Sequence, residues 1–72
     1  MVTLRFFAAA RAEVGAASLS REAGSIDSLL AEFDSPVLNR CTFLVNGIAT
    51  TDRATPLRDD DVLDVLPPFA GG

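Results

Sequence analysis

The sequence contains no histidine, lysine, tryptophan or tyrosine among its 72 residues. Without histidine it lacks the commonest general base, and neither a Ser-His-Asp nor a Cys-His nucleophile system can be assembled. Without lysine it has neither Schiff-base chemistry nor the lysine of a phosphate-binding P-loop. A single cysteine with no histidine cannot complete a zinc site. We therefore expect no bound metal or cofactor, and no catalysis by side chains of this chain alone.

Other features that are rare or absent in the sequence indicate the cellular compartment of the protein and the partners that it does not bind. One cysteine excludes an intrachain disulfide, and no apolar run reaches the roughly 18 residues of a membrane span. No cationic start followed by an apolar run indicates a signal peptide. Acidic residues outnumber arginine by 10 to 6, and the net charge of −4 would repel a phosphate backbone. We therefore expect a cytoplasmic protein that binds neither a membrane nor nucleic acid.

Apolar periodicity in the first half predicts two strands and a helix. Residues 2–6 alternate apolar and polar, as in a half-buried strand, and residues 17–23 form a weaker strand that could pair with it as a hairpin. The alanine-rich segment between them could make a short helical turn that Gly15 ends. Ser25 is a good N-cap for the helix, which should close before Pro36. The core-facing stripe of this helix is Ile26, Leu29, Leu30 and Phe33.

The second half predicts three more strands, over residues 41–45, 48–51 and 61–66. Asn46-Gly47 is a strong hairpin signal between the first two, and Leu57 is a single buried anchor in the connection that follows. Since the first and last strands are both apolar, we expect them side by side in the centre of one sheet. This predicts an α+β roll of the β-grasp type, a mixed sheet with one main helix packed across it. The domain should span residues 1–68, and residues 69–72 should form a free tail.

The end of the sequence offers a reactive group that needs no side chain. Gly71 and Gly72 follow the pair Pro67-Pro68. Because glycine has no Cβ, such a tail could thread a narrow channel and present the Gly72 carboxylate inside another protein. A frayed terminus of small residues is the alternative, and glycine alone does not decide between the two.

Three segments carry a resemblance to a known family: Leu4-Arg5-Phe6-Phe7-Ala8-Ala9-Ala10-Arg11, Val45-Asn46-Gly47, and the stretch from Asp61 to Gly72. They resemble the β-grasp sulfur carriers of the ThiS/MoaD family, which includes the small subunit of molybdopterin synthase. The resemblance covers the whole chain. Its most specific feature is a Gly-Gly pair that follows a strand and Pro67-Pro68.

The resemblance implies a carrier cycle. An enzyme similar to ubiquitin-activating enzymes would adenylate the Gly72 carboxylate with ATP, and a sulfur donor protein would displace AMP to leave a thiocarboxylate. The tail would then enter the large subunit of molybdopterin synthase through contacts of Phe69, Ala70 and Gly71, and would donate its sulfur for the molybdopterin dithiolene. The activating enzyme uses the ATP, so this chain itself would bind no cofactor.

Four further apolar residues face away from the predicted helix: Phe7, Leu44, Val62 and Leu66. Singly, exposed apolar residues need no explanation, but four on one open sheet face would form a patch that marks a protein interface. Cys41 alternates with core residues of its strand, so we expect an inert thiol rather than a persulfide site. The acidic run at residues 59–61 is expected to be a solvated turn, with docking of a basic partner as the alternative.

The sequence is also compatible with other functions. A sulfur carrier for thiamin thiazole, cysteine or tungsten-pterin formation would share the same chemistry. A ubiquitin-like modifier would instead form isopeptide bonds, and an inert β-grasp interaction module would not use the tail at all. The Phe-Phe-Ala-Ala-Ala-Arg segment and the Pro-Pro pair before the tail favour the molybdopterin pathway.

Overall fold

The computed structural model describes residues 1–67. In chain order their elements are β1 Val2–Phe6, α1 Ala8–Val14, β2 Ser18–Arg21, β3 Gly24–Ser25, α2 Ile26–Leu30, α3 Pro36–Asn39, β4 Thr42–Val45, β5 Ile48–Thr50, β6 Pro56–Leu57 and β7 Val62–Leu66. The predicted tail, residues 69–72, and the last residue of the predicted domain lie outside the described residues.

Five strands form one mixed sheet in the order β2-β1-β7-β4-β5. β1 and β7 pair in parallel at its centre, and the other neighbours pair antiparallel. The prediction that the first and last strands lie side by side is confirmed. β1 has the predicted bounds, and the other strands of this sheet are slightly shorter than predicted.

One face of the sheet, called the inner face, carries the hydrophobic core. The two central strands supply five fully buried side chains, Val2, Leu4, Phe6, Leu63 and Val65. The three described helices add Ala10, Ile26, Leu29, Leu30 and Leu38 to the same cluster. Phe43 of β4 is buried on this face as well, and Val45 packs against the core. Since side chains alternate along a strand, the opposite, outer face carries Thr3 and Arg5 of β1, Thr42 and Leu44 of β4, and Val62, Asp64 and Leu66 of β7.

The predicted helix begins where expected but ends earlier. The Ser25 side-chain oxygen accepts a hydrogen bond from the Ser28 amide at 3.1 Å, which caps α2. α2 ends at Leu30, and the Phe33 amide then donates to the Leu30 carbonyl at 3.1 Å, a tighter i→i+3 pattern. Phe33 still reaches the core, where its ring meets the Phe6 ring edge-on at a centroid distance of 5.6 Å. The predicted stripe is confirmed, and the predicted helix length is wrong.

Ser35 and Pro36 begin a helix that the sequence pattern does not predict. The Ser35 side-chain oxygen accepts from the Val37 amide at 3.2 Å, and Pro36 occupies the first turn of α3. Proline is favourable there because its missing N–H would have no partner within the helix. A helix as short as α3 shows no apolar period, so only its cap could have signalled it.

The described residues contain three helices instead of the one main helix predicted. Within residues 1–67 the longest helix is α1, with 7 residues against 5 for α2. Gly15 ends α1 with a left-handed φ of 83°, which glycine adopts without a steric penalty. Because α1 separates β1 from β2, these strands pair antiparallel without a tight hairpin. None of the helices in this part of the chain is both long and apolar enough to cross a membrane.

The turns and connections of the second half follow the sequence more closely. Asn46 and Gly47 both have positive φ, 51° and 85°, as a type I′ hairpin turn requires. Leu57 is buried, so the predicted anchor is confirmed. It also belongs to β6, which pairs antiparallel with β3 in a separate two-stranded sheet. Strands of two residues are too short to show alternation and are absent from the sequence prediction.

We expect Leu30→Ala to lower the free energy of unfolding by about 2–5 kcal/mol, because it empties a core site on α2. Leu30 is 5% exposed. Ile48→Ala is the matched control, since Ile48 is 73% exposed and its truncation should change stability by less than about 0.5 kcal/mol. Urea unfolding of both variants measures the difference. Equal, small losses in the two variants would contradict the assignment of this helix face to the core.

Candidate functional site

The outer face of the sheet brings together the four apolar residues that the sequence singles out. Val62 and Leu66 lie two residues to either side of Asp64 on β7, and Leu44 of β4 is the partner of Asp64 in the ladder. Phe7 follows β1 in an extended conformation, and its amide donates to the Val65 carbonyl at 3.2 Å. The β1–β7 register therefore continues to Phe7, which places it beside Leu66.

We call this set the outer patch: Phe7, Leu44, Val62 and Leu66. Phe7 is 40% exposed, and the other three are half-buried. Their side chains come from β4, β7 and the residue that follows β1. Apolar side chains gathered on an open sheet face are typical of a protein-binding surface. Its role as an interface stays a prediction.

An ion pair lies at the centre of the outer patch. Arg5 Nε donates to one oxygen of the Asp64 carboxylate at 2.6 Å, and an Arg5 Nη donates to the other at 2.8 Å. Asp64 is only 8% exposed, whereas the Arg5 side chain is 51% exposed. The hydrogen bonds to Asp64 and the attraction of its charge raise the pKa of Arg5 above its ordinary value. The Arg5 guanidinium therefore keeps its charge.

This pair is not predicted from the sequence, although part of the signal for it is present there. Alternation alone directs both Arg5 and Asp64 to the outer face. Only the parallel register, in which Arg5 is the direct partner of Asp64, brings the two together. Arg5 also lies over the ring of Phe7, with its guanidinium carbon 5.9 Å from the ring centroid. This cation–π contact links the ion pair to the apolar rim.

β7 connects the outer patch to the end of the chain. Leu66 is the last residue of the strand, and the buried Pro67 follows it at a groove that Ala9, Pro36, Val37 and Arg40 also line. The tail residues to which the sequence analysis assigns functions, Phe69, Ala70, Gly71 and Gly72, lie outside the described residues, and their roles stay predictions.

Cys41 is partly buried and precedes β4 instead of forming its first residue. It packs against the core cluster, and its thiol donates to the Val37 carbonyl at 3.2 Å. Burial raises the pKa of the Cys41 thiol, which disfavours the reactive thiolate. The expectation of an inert thiol agrees with this setting, although the thiol is less buried than its place on the core face suggests.

The acidic run forms a turn, and one of its carboxylates is used within the fold. The two oxygens of Asp61 accept from the Arg58 amide at 2.8 Å and from the Asn46 side-chain amide at 2.9 Å. Asn46 in turn accepts from the Val62 amide at 2.9 Å, which ties the β4–β5 turn to the start of β7. The hydrogen bond from Arg58, followed by the one from Asn46, lowers the pKa of Asp61. Asp61 therefore stabilises the turn before β7, a structural role that was not predicted from the sequence.

Potential metal ligands are not grouped in the described part of the chain. No cluster of three or more histidine, cysteine, aspartate or glutamate side chains within residues 1–67 could hold a metal ion. Within the described residues, the site therefore consists of the apolar residues of the outer patch, the Arg5–Asp64 ion pair and the strand β7, which precedes the tail.

Comparison with known families gives one extensive match. The model of the ThiS family matches residues 4–72, which includes the three segments noted in the sequence. None of the curated proteins matches the chain significantly.

Solved structures of similar chains share the fold over nearly the whole length. A chain in the complex of subunits 1 and 2 of molybdopterin-converting factor from Helicobacter pylori is 29% identical, with a TM-score of 0.72, 99% of this chain covered and 97% of that one. The HVO 2177 protein of Haloferax volcanii is 33% identical, with a TM-score of 0.68 and coverage of 99% and 85%. Small archaeal modifier protein 1 of Methanosarcina acetivorans is 25% identical, with a TM-score of 0.67 and coverage of 99% and 95%. The predicted β-grasp class is confirmed.

We expect Asp61→Asn to flatten the loss of stability in acid. Because the pKa of Asp61 is lower in the folded chain than in the unfolded one, its carboxylate stabilises the fold at neutral pH. That contribution is lost as the pH falls through the folded-state pKa. Thermal unfolding followed by circular dichroism from about pH 7 down to about pH 2 measures the decline.

Asp60→Asn is the control for this experiment. It changes the same charge in the same turn, keeps a residue type that tolerates the φ of 72° at this position, and leaves both hydrogen bonds of Asp61 in place. It should follow the pH dependence of the wild type. Identical curves for the two variants would show that the Asp61 contacts do not cause the acid dependence.

Proposed function

The chain belongs to the ThiS family, and we propose that it is a sulfur carrier that serves as the small subunit of molybdopterin synthase. The observation that carries this proposal is a family match that runs through Gly71 and Gly72, which follow in the sequence after β7, the strand that bears half of the outer patch. The proposal assigns the chemistry to the Gly72 carboxylate and the recognition to the sheet.

In the proposed cycle a separate activating enzyme uses ATP to adenylate the Gly72 carboxylate, with release of pyrophosphate. The mixed anhydride makes the acyl carbon electrophilic, because AMP is a good leaving group. Sulfide-level sulfur supplied by a donor protein attacks that carbon, the bond to AMP breaks with its electron pair leaving on AMP, and the terminus becomes a thiocarboxylate. The absence of histidine and lysine agrees with a chain that supplies no acid–base catalysis of its own.

The proposed acceptor complex contains the large subunit of molybdopterin synthase. The outer patch would dock against it, and Phe69, Ala70 and Gly71 would lead the terminus into its active site. There the sulfur would pass to a cyclic pyranopterin phosphate, and two such transfers would build the dithiolene. The Helicobacter pylori relative supports this assignment, because its structure is that of a complex of subunits 1 and 2.

A ubiquitin-like modifier is the second candidate. The likeness to small archaeal modifier protein 1 of Methanosarcina acetivorans favours it. This chain has no lysine, so it could not form lysine-linked chains of itself. A carrier would be found in extracts free or in a few defined complexes, whereas a modifier would give a ladder of conjugates that survives reducing denaturation. A carrier for another sulfur pathway would pass the chemical test below but would not bind the large synthase subunit.

We expect ATP, the cognate activating enzyme and a sulfur donor to convert the terminus to a thiocarboxylate. The intact mass should rise by the difference between one sulfur and one oxygen atom. Deleting Gly72 should abolish the shift, because the new terminus falls one residue short of the adenylation site. Gly71→Leu should impair it by steric exclusion from the channel. Cys41→Ser is the control and should convert like the wild type. A shift that required Cys41 and survived loss of Gly72 would favour the persulfide alternative.

We expect Leu66→Asp to weaken binding to the large subunit at least tenfold, because the new charge would be desolvated against an apolar partner, at about 1.4 kcal/mol or more. Ile48→Asp is the matched control. Ile48 pairs with Val45 and not with a residue of the outer patch. Calorimetric titration gives both affinities, and thermal unfolding checks that each variant is folded. Equal affinities would remove the outer patch from the interface.

A further inference from the structure

The ion pair places two charged side chains among the four apolar residues of the outer patch. We propose that Arg5 is the specificity-determining contact of the outer patch, and that it donates to one uncharged oxygen, a carbonyl or hydroxyl, within an otherwise apolar surface of the partner. The inference rests on the proposed function, because it takes the outer patch as the docking surface. It adds the chemistry that the partner must present there.

The first argument is the fixed position of the guanidinium group. Two hydrogen bonds of 2.6 and 2.8 Å hold Arg5 on the carboxylate of Asp64, and the Phe7 ring lies 5.9 Å from the guanidinium carbon. A group held by a bidentate contact and an aromatic face loses little further freedom when a partner binds. The guanidinium group of Arg5 is therefore already oriented to donate a hydrogen bond before the complex forms.

The second argument is the remaining donor capacity. Asp64 engages the Nε and one Nη of Arg5, and a guanidinium group has further N–H groups that can donate. Half of the Arg5 side chain is exposed, so water can serve those groups in the free protein. An apolar partner that covered the patch would remove this water. Unless it offered an acceptor, a buried charged donor would lose hydrogen bonds.

The third argument is charge balance, which selects an uncharged acceptor. The formal charges of Arg5 and Asp64 cancel, and Asp64 is almost wholly buried beneath the patch. A partner carboxylate would be repelled by the nearby negative charge of Asp64. It would also be repelled by the net charge of −4 on the whole chain. A carbonyl or hydroxyl oxygen would satisfy Arg5 without that repulsion. Asp64 is thus a positioning residue that orients Arg5 and sets which acceptor it prefers.

The expected consequence is discrimination between apolar surfaces. A partner with an oxygen at the right place would gain a hydrogen bond to a charged donor, and one without it would leave Arg5 unsatisfied. The outer patch would then select its partner by one polar contact at its centre, while the four apolar residues would supply the buried area.

The test removes the pair as a whole, so that neither charge is left buried alone. In Arg5→Met/Asp64→Leu, an ion pair is replaced by apolar side chains, an exchange that is often neutral or stabilising for a fold. If the pair serves only the fold, this variant should bind the purified large synthase subunit as well as the wild type or more tightly. If Arg5 donates to the partner, the affinity should fall by about 5- to 150-fold, because the partner oxygen is left unsatisfied.

Arg21→Met/Glu32→Leu is the matched control. It removes another arginine–carboxylate pair, with Arg21 Nε 2.7 Å from the Glu32 carboxylate, outside the outer patch. It should bind like the wild type. Arg5→Lys is the second variant and keeps the charge, but an ammonium group cannot reproduce the planar fork. It should unfold like the wild type and bind less tightly, and unchanged binding by this folded variant would overturn the inference.

Salt dependence decides the charge of the acceptor. With an uncharged oxygen, the difference in affinity between the wild type and Arg5→Met/Asp64→Leu should stay nearly constant from about 50 to 500 mM salt. A difference that shrinks steeply with salt would indicate a partner carboxylate and overturn this part of the inference. If the wild type itself does not bind the large subunit, the docking step of the proposed function fails. If the wild type binds but Arg5→Met/Asp64→Leu binds equally well, only this inference fails.

Discussion

The parallel pairing of β1 with β7 at the centre of the sheet is the contact on which the rest of the molecule depends. Its register buries Leu4 beside Leu63 on the inner face and sets Arg5 opposite Asp64 on the outer face. Because side chains alternate strictly along a strand, one register decides both faces together. A slip by one residue would turn the ion pair towards the core and core residues towards water.

The two faces of this sheet are used differently. The inner face is closed by side chains from α1, α2 and α3, which together complete one hydrophobic core. The outer face keeps an apolar patch with a charged pair at its centre, and the strand that carries both Asp64 and Leu66 is the last one before the tail in the sequence. In the proposed function, recognition would lie on β7 and delivery on the residues that follow it, so a partner bound to the outer patch would also determine where the tail begins.

The reactive side chains of the described residues are largely occupied by the fold. Asp64 is paired with Arg5, Asp61 fixes the turn before β7, and the Cys41 thiol is partly buried against the core. Such a distribution suits a carrier, which needs a stable body and one transferable group but no catalytic machinery. The proposed function assigns that group to the terminus and leaves activation and transfer to the partner proteins.

The sequence by itself determined the central strands, the Asn46-Gly47 turn, the cap at Ser25 and the apolar stripe from Ile26 to Phe33, because each depends on local periodicity or turn chemistry. It also directed Arg5 and Asp64 to the same side of their strands. What it left open was the register of strands far apart in the chain, and with it the ion pair and the neighbours of the outer patch. It likewise missed α3 and the β3–β6 pairing, because elements this short show no periodicity and exist only where tertiary contacts hold them. Only the tertiary structure decided these features, since pairing between distant segments is selected by the packing of the whole core and not by any local preference.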